Sequence, residues 1–315
     1  MKIMKFGGTA LATTSTREKC IRIMEHFLPE KIVVICSAMG RNGFPYATDT
    51  LRNLLDDSYI EKEEMDRIIS FGEVLSSLIF TQDLRKKGWK TKSFSPREIG
   101  ITTNRHFLDA DVLQIEPTAI LSALKDYDIL VIPGFIGMTE EGEITTLGKG
   151  GSDLTATLLA EALHIQDVYL WKDVDGIYPY YPFATYGLHP YPILSYDEML
   201  ALCNLGYEVI QKKAICYAKL KKVFLHVGNY LTCKIGTIVS NQTEDKKMIG
   251  FSADYQSMQI ATFAPQEMSY SLQEILKKSH VFLKDFSCLE HQINVKVPSS
   301  QIPIVRKILI EQFFH

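Results

Sequence analysis

Short apolar runs alternate along most of this chain with longer segments in which apolar residues recur every three or four positions. The apolar runs predict buried strands at residues 31–36, 129–132, 167–170 and 223–227. The longer segments predict helices over residues 15–28, 47–57, 61–87, 116–126, 152–164 and 195–219. This alternation is typical of an α/β protein. We therefore expect a three-layer α/β/α sandwich around a mostly parallel central sheet.

The last quarter of the chain has a different rhythm. A polar run, SNQTEDKK at residues 240–247, separates it from the rest, so we expect one large domain over residues 1–243 and a small module over residues 247–315. The module's pattern predicts strand, helix, strand, strand and helix at residues 257–263, 270–279, 281–286, 291–297 and 301–314. Such an order predicts a small α+β unit.

Composition limits the classes of function. The chain has 315 residues, 46% of them hydrophobic, and a net charge of −3, so it can form a large core and lacks the basic excess of dedicated nucleic-acid domains. Its six cysteines are scattered without a CxxC pair, which indicates reduced thiols and not a zinc site or disulfide framework. The longest apolar stretch, residues 129–138, is interrupted by Pro133 and Gly134. We expect no leader sequence, a cytoplasmic location, and neither nucleic acid nor membrane as a partner.

Two glycine turns carry the strongest chemical signal. Residues 145–163 read TTLGKGGSDLTATLLAEAL, in which Gly150 and Gly151 follow Lys149 and open a helix. Residues 2–9, KIMKFGGT, place a short apolar strand before a second glycine pair. Glycines at such turns let backbone N–H groups approach an anion, and a helix N-terminus favours phosphate or carboxylate. On these residues alone, an ordinary surface loop and a Ser- or Asp-capped helix remain open as alternatives.

Five segments, in order, resemble motifs of the amino-acid kinase family, and the likeness is closest to its aspartokinase branch. They are KFGGT at residues 5–9, VICSAMGRNGFPYATDTL at 34–51, SFGEVLSS at 70–77, PGFIGMTEEGEITTLGKGGSD at 133–153 and DVDGIY at 173–178. The likeness extends over residues 2–240. The tail resembles a βαββα portion of an ACT domain, a small ferredoxin-like module that binds effectors in that family.

The resemblance implies that ATP phosphorylates the side-chain carboxylate of L-aspartate, giving 4-phospho-L-aspartate, the first step toward lysine, threonine, methionine and diaminopimelate. A carboxylate needs no deprotonation at neutral pH. Such a site therefore needs cations, backbone N–H groups and Mg²⁺, and no strong base.

The resemblance also implies a role for individual residues. The two implied catalytic residues are Lys5 and Asp153. The implied phosphate or ATP contacts are Lys5, Gly7, Gly8, Ser37, Asp173, Gly176 and Tyr178. The implied substrate contacts are Thr48, Glu73, Lys149, Gly150, Gly151 and Ser152. Mg²⁺ would be held through the phosphates, with Asp153 as one candidate contact.

Several residues depart from the family's motifs. Lys149 replaces the arginine of LGRGGSD, and lysine cannot make the two-pronged contact to a carboxylate that arginine makes. Lys172 stands where a threonine is usual, and Ala10 removes a hydroxyl next to the first glycine turn. Residues 179–183 read PYYPF where the family has TTDPR. These changes put the identity of the substrate and the nucleotide contacts in question.

The most serious departure is Glu208, which stands where the resemblance predicts a lysine facing the ATP phosphates. A carboxylate there would repel a triphosphate by about a kcal/mol or more. Lys212 or Lys213 would replace that lysine if the helix were shifted. Three functions stay open: an aspartokinase-like carboxylate kinase, a catalytically impaired paralogue that acts as a regulatory or binding partner, and a superfamily kinase for a different acid.

The C-terminal module is expected to lack the last strand of a complete ACT domain. An open sheet edge and an apolar tail would then favour a homodimer. The apolar residues of the tail are Ile308, Leu309, Ile310, Phe313 and Phe314. The alternative is a tail that packs on its own kinase domain.

Overall fold

The structure is a computed structural model that describes residues 1–181, 187–244, 246 and 248–314. Phe183, in the segment that departs from the family motif, lies outside the described residues. The strands, in chain order, are β1 (Lys2–Phe6), β2 (Ile32–Cys36), β3 (Thr91–Ser93), β4 (Ile101–Thr103), β5 (Val112–Ile115), β6 (Ile129–Pro133), β7 (Ile136–Met138), β8 (Ile144–Thr146), β9 (Asp167–Lys172), β10 (Tyr180–Tyr181), β11 (Ile193–Ser195), β12 (Phe224–Asn229), β13 (Lys234–Ser240), β14 (Gly250–Ala253), β15 (Ser257–Ala261), β16 (Asp285–Cys288) and β17 (Gln292–Lys296). The α-helices are α1 (Gly8–Leu11), α2 (Thr14–Glu25), α3 (Thr48–Arg52), α4 (Lys62–Lys86), α5 (Thr118–Ala123), α6 (Gly151–Ala162), α7 (Tyr196–Asn204), α8 (Lys212–Lys221), α9 (Pro265–Lys278) and α10 (Ile302–Phe313).

A large sheet forms the centre of the molecule. In the described residues it has eight strands in the order β11-β13-β12-β9-β1-β2-β6-β3. Neighbouring strands run parallel except β12 and β13, which are antiparallel. Because β1, β2, β6 and β9 all run in one direction, their carboxyl ends meet at one edge, where open α/β sheets bind ligands.

The central strands bury side chains on both faces. On β1, Ile3 belongs to the apolar cluster that includes α6 and α8, whereas its neighbour Met4 belongs to the cluster that includes α2 and α4. This alternation places helices on either side of the sheet, so the predicted three-layer α/β/α sandwich is confirmed. None of the helices in the described part of the chain is long and apolar enough to cross a membrane.

The helix expected over residues 195–219 is two helices, so that prediction was wrong. Helix α7 ends at Asn204 and α8 begins at Lys212. Between them, Gly206 adopts φ of +90°, a left-handed conformation that terminates helices and that glycine tolerates best. The resulting loop carries Glu208 to the edge of the sheet where the site lies.

A smaller sheet, absent from our predictions, lies beside the large one. Its order is β5-β4-β7-β8, and its strands are only three or four residues long. Buried Asp66 of α4 joins helix and sheet, because it accepts hydrogen bonds from the backbone N–H groups of Leu108 and Thr146, each at 3.0 Å. Helix α4 is thereby fixed along the length that carries Glu73.

The C-terminal module contains a five-strand sheet in the described residues, ordered β10-β14-β15-β17-β16. Helices α9 and α10 pack on it, and Leu272 and Leu309 are among the fully buried residues of its core. The predicted small α+β module is therefore present. Strand β14 was missed, and it pairs antiparallel with β15. Strand β14 covers one side of β15, and the described sheet ends at β10 and β16.

The apolar tail also differs from expectation. Leu309 and Ile310 are buried in the module's own core, and Phe314 stacks on Phe251 with ring centroids 6.0 Å apart. These side chains therefore stabilise their own module. The free apolar tail therefore gives no argument for a homodimer, and the homodimer itself stays a prediction.

Candidate active site

A buried cluster of three charges lies at the carboxyl edge of the large sheet. Lys5 comes from the end of β1, Lys172 from the end of the neighbouring β9, and Asp153 from the first turn of α6. The Lys5 ammonium lies 2.9 Å from Oδ1 of Asp153, and the Lys172 ammonium donates to Oδ2 at 2.6 Å. All three side chains are at most 15% exposed. One carboxylate thus faces two ammonium groups, so the cluster carries a net positive charge.

The electrostatics of the cluster follow from its burial. Burial alone would raise the pKa of Asp153, but Lys172 and Lys5 more than offset it and lower that pKa to about 2. Burial and the repulsion of Lys5 lower the pKa of Lys172 to about 8, although Asp153 favours its charged form. A group of net positive charge, withdrawn from water, is stabilised by an incoming anion.

The glycine turn after β1 sits against the loop after β2. A Cβ at Gly8 would lie 2.4 Å from the carbonyl oxygen of Gly40, closer than a side chain permits. The N–H of Gly40 donates to the carbonyl of Gly8 at 2.9 Å, and the N–H of Ser37 donates to the carbonyl of Phe6 at 3.2 Å. The two family-like glycine segments, 32 residues apart at Gly8 and Gly40, therefore form one backbone surface next to Lys5.

A cleft of about 380 Å³ opens over this surface. Its described lining is Gly7, Gly8, Thr9, Gly40, Arg41, Lys172, Asp173, Val174, Glu208 and Val209. Arg41 spans the cleft to Asp173 with its guanidinium 2.6 Å from the carboxylate. Among the residues predicted for phosphate or nucleotide, the structure therefore brings Gly7, Gly8 and Asp173 together, with Lys5 behind Gly7.

Two predicted nucleotide contacts lie elsewhere in the described structure. A Cβ at Gly176 would lie 2.7 Å from both Pro190 and Thr237, so this glycine serves a close approach of chain segments. Tyr178 is buried in the apolar cluster of the C-terminal module. The described lining of the cleft includes neither residue, so the structure gives no support to their prediction as ATP contacts.

Glu73 is buried next to the second loop. It accepts a hydrogen bond from Thr48 at 3.1 Å through Oε1, whereas its Oε2 is buried with no hydrogen-bond partner in the described residues. Burial raises the pKa of Glu73 to about 8, with Thr48 opposing part of the shift. A buried, half-satisfied carboxyl is costly, and an ammonium group would compensate it. The structure thus pairs Thr48 with Glu73, as predicted for a substrate site.

The turn before α6 holds the remaining predicted substrate residues. Gly150 has φ of +79° and Gly151 packs against Phe135, where a Cβ would lie 2.9 Å from the ring. Ser152 lies against Gly134, whose Cβ would come within 2.8 Å of it. These contacts explain why glycine is needed here and place Ser152 and Asp153 together in the first turn of the helix.

Lys149 and Glu208, two separate departures from the family motifs, form one ion pair. The Lys149 ammonium lies 2.9 and 2.8 Å from the two carboxylate oxygens of Glu208. The charge of Glu208 at the cleft is thereby balanced. Lys212 donates to Asn204 at 3.0 Å and Lys213 pairs with Asp109, so neither takes the place of the lysine expected at 208. That hypothesis was wrong, because α8 begins only after the loop.

The predicted metal role of Asp153 does not fit the structure. Both of its oxygens are occupied by ammonium groups, and no cluster of three acidic, histidine or cysteine side chains suited to a metal ion occurs in the residues that the structure describes. A divalent cation at Asp153 would have to displace Lys5 or Lys172. The side chains of this site therefore form no binding set of their own for Mg²⁺.

Sequence reasoning missed two residues of the site. Lys172 was noted only as a departure, although its position between a buried strand and Asp173 placed it at the same sheet edge as Lys5. Arg41 gave no such signal, because its partner Asp173 is 132 residues away along the chain. Only the fold brings the two together.

The sequence of the chain is similar to those of known proteins of one family. The model of the amino acid kinase family matches residues 1–229. Aspartokinase 1 of Bacillus subtilis is 34% identical over 248 residues, covering 78% of this chain and 61% of that protein. The aspartokinase of Thermus thermophilus is 33% identical over 264 residues, covering 82% of this chain and 64% of that protein. The expected resemblance to aspartokinases is confirmed, and the chain spans less than two thirds of the length of these relatives.

A solved structure supports the fold. Aspartokinase III of E. coli in complex with aspartate and ADP superposes with a TM-score of 0.70 at 21% identity, covering 99% of this chain and 83% of that one. At that identity the likeness concerns the fold alone. Since the family model matches well over half of this chain's 315 residues, the chain belongs to the amino acid kinase family.

Proposed function

We propose that the protein transfers the γ-phosphoryl group of ATP to the side-chain carboxylate of L-aspartate. The observation that carries this proposal is the buried Lys5–Asp153–Lys172 cluster with its net positive charge under a glycine-lined cleft. Phosphoryl transfer to a carboxylate brings two anions together, and its main requirement is fixed positive charge at the point of transfer. The aspartokinase relatives support aspartate as the acceptor.

The reaction needs no proton transfer. An oxygen of the acceptor carboxylate forms a bond to the γ-phosphorus while the bond from that phosphorus to the bridging oxygen breaks, and ADP leaves with the electron pair. Lys5 and the backbone N–H of Gly8 stabilise the charge on the transferring group, since the N–H of Gly7 donates to the carbonyl of Trp171 at 3.3 Å. We propose that Mg²⁺ enters with the nucleotide on its phosphate oxygens, since Asp153 is already occupied by two lysines.

We propose that the acceptor's ammonium group pairs with Glu73. Its buried Oε2 has no hydrogen-bond partner in the described residues, and Thr48 holds the other oxygen. We propose that Ser152, in the first turn of α6, binds the acceptor's α-carboxylate. Lys149 would reach the same carboxylate only when its pair with Glu208 opens.

Aspartate-dependent release of ADP from Mg-ATP tests the proposal, with Lys5→Ala protein as the blank. We expect turnover with L-aspartate that is absent in the blank. A panel of other acids in the same assay tests for a different acceptor, and turnover only with another acid would replace aspartate in the proposal. Absence of turnover with every acid, together with absence of ATP binding by calorimetry, would leave the non-catalytic partner as the function.

Binding of L-aspartate is expected to release a proton from Glu73. The pKa of Glu73 is about 8 without ligand, so much of it is protonated at neutral pH. A neighbouring ammonium favours the carboxylate and lowers that pKa, so affinity should increase as pH rises toward about 8. Calorimetry in phosphate and Tris buffers, whose ionisation enthalpies differ, measures the proton directly.

The control for this measurement lies on the same helix. Glu73→Gln should abolish the proton release and weaken binding, whereas Glu63→Gln, in the partly exposed first turn of α4, should change neither. Proton release that persists in Glu73→Gln protein would assign it to another group and remove Glu73 from the substrate site.

A further inference from the structure

Lys172, and not Lys5, is the ammonium that faces the cleft. Lys172 is among the residues that line the cleft and its side chain is 15% exposed, whereas Lys5 is 7% exposed and lies behind Gly7. Both contact Asp153, one on each oxygen. An anion that enters the cleft therefore meets Lys172 before Lys5.

The other charges at the cleft are already balanced. Arg41 is paired with Asp173, and Glu208 is paired with Lys149. The excess positive charge at the cleft wall thus comes from the two lysines that share Asp153, of which only Lys172 is part of the described lining. Lys172 is the last residue of β9, and this strand is paired with β1 on one side and β12 on the other. The backbone that carries its ammonium group is therefore fixed by the sheet.

We propose that Lys172 is a further catalytic residue, which contacts a phosphate oxygen of the donor nucleotide and shares with Lys5 the charge of the transferring group. It replaces the cation that the family resemblance predicts at position 208. In this chain a lysine is missing at position 208 and a lysine is added at position 172, and both positions line the same cleft, so the two departures compensate each other. The inference rests on the proposed function for its catalytic part and on the cleft alone for its binding part.

The need for a charged Lys172 should limit nucleotide binding at alkaline pH. Its pKa of about 8 results from burial and from Lys5, with Asp153 opposing; Asp173, Arg41 and Glu208 are the other charges at the cleft. As pH rises through about 8, Lys172 loses its proton and its attraction for phosphate. Affinity for the nucleotide should fall over that interval.

The test compares Lys172→Thr with wild-type protein. We expect affinity for a non-hydrolysable ATP analogue, measured by calorimetry, to fall about tenfold and kcat to fall about 100-fold. Lys125→Thr, at an exposed lysine before the amino end of β6 and so at the opposite edge of the sheet, should leave both unchanged. The double variant Lys172→Thr/Glu208→Lys should recover part of the lost affinity, because it restores a cation to the lining of the cleft.

A second variant covers a failure of Lys172→Thr to fold, which thermal melting would reveal. Lys172→Arg keeps its charge at alkaline pH, so the fall in analogue affinity near pH 8 should move to higher pH. Two results would overturn the proposal for Lys172. One is an analogue affinity that still falls near pH 8 in Lys172→Arg, and the other is wild-type affinity and kcat in folded Lys172→Thr. Weaker analogue binding by Lys172→Thr, with a wild type that phosphorylates no acid, would retain the phosphate contact and reject the proposed function.

Discussion

Lys5→Ala is expected to lower kcat for aspartate phosphorylation by about 100-fold or more, because it removes a fixed ammonium from the site of charge development. The side chain is buried and its ammonium lies 2.9 Å from Asp153, so water cannot replace it at the same position. Lys172 remains on the other oxygen of Asp153 and should retain much of the nucleotide affinity. The loss should therefore appear in kcat more than in KM for ATP.

The matched control is Lys2→Ala on the same strand. Lys2 lies at the start of β1 and pairs with Glu30 at the opposite end of the strand from the cleft. It should retain wild-type kinetics. Steady-state ADP release measures both variants, and a Lys5→Ala protein with wild-type kcat would exclude Lys5 from the chemistry.

Asp153→Asn is expected to destabilise the protein by about 3–5 kcal/mol, because it leaves two buried ammonium groups without a counter-charge. The variant should also show a characteristic pH dependence. Asp153 supports the charged form of Lys172, so its loss lowers the Lys172 pKa below the present value of about 8, further from the ordinary value of 10.5. Between the new pKa and about 8, the unfolded variant binds more protons than the folded one, and its stability rises with pH.

Urea denaturation over a range of pH measures this effect. The difference in unfolding free energy between wild type and Asp153→Asn should narrow as pH rises toward about 8 and then stay constant. Asp109→Asn breaks the more exposed pair with Lys213 and should cost less than about 1 kcal/mol. Equal stability of Asp153→Asn and wild type at neutral pH would show that the three charges are not coupled.

Local patterns predicted the glycine turns and five strands of the large sheet, which are β1, β2, β6, β9 and β12, but not β3, β11 or β13. The strand predicted at residues 31–36 is observed as Ile32–Cys36, and all five of its residues are apolar and buried, as expected for a strand that is covered on both faces. The family resemblance implied Lys5 and Asp153 as the two catalytic residues, and the structure places them in contact. Gly206 carried the signal for the end of α7, but we gave it less weight than the apolar periodicity around it.

The rest depended on contacts between distant residues. Lys149 and Glu208 are 59 residues apart, and in the sequence each is only a departure from a family motif. Their contact in the structure shows that the charge of one balances the charge of the other. Strand β14 spans four residues and is recognisable only by its pairing with β15. The burial of Tyr178 also depends on distant residues, because the apolar cluster that contains it lies in the C-terminal module.

One short stretch of chain belongs to both halves of the molecule. Asp173 and Val174 line the cleft, and a few residues later Tyr180 adds an edge strand to the module's sheet and stacks on Phe251 at 4.7 Å. So short a connection limits how far its two ends can move apart. A displacement of the module's sheet would therefore also displace Asp173 and Val174, which couples the module to the wall of the cleft.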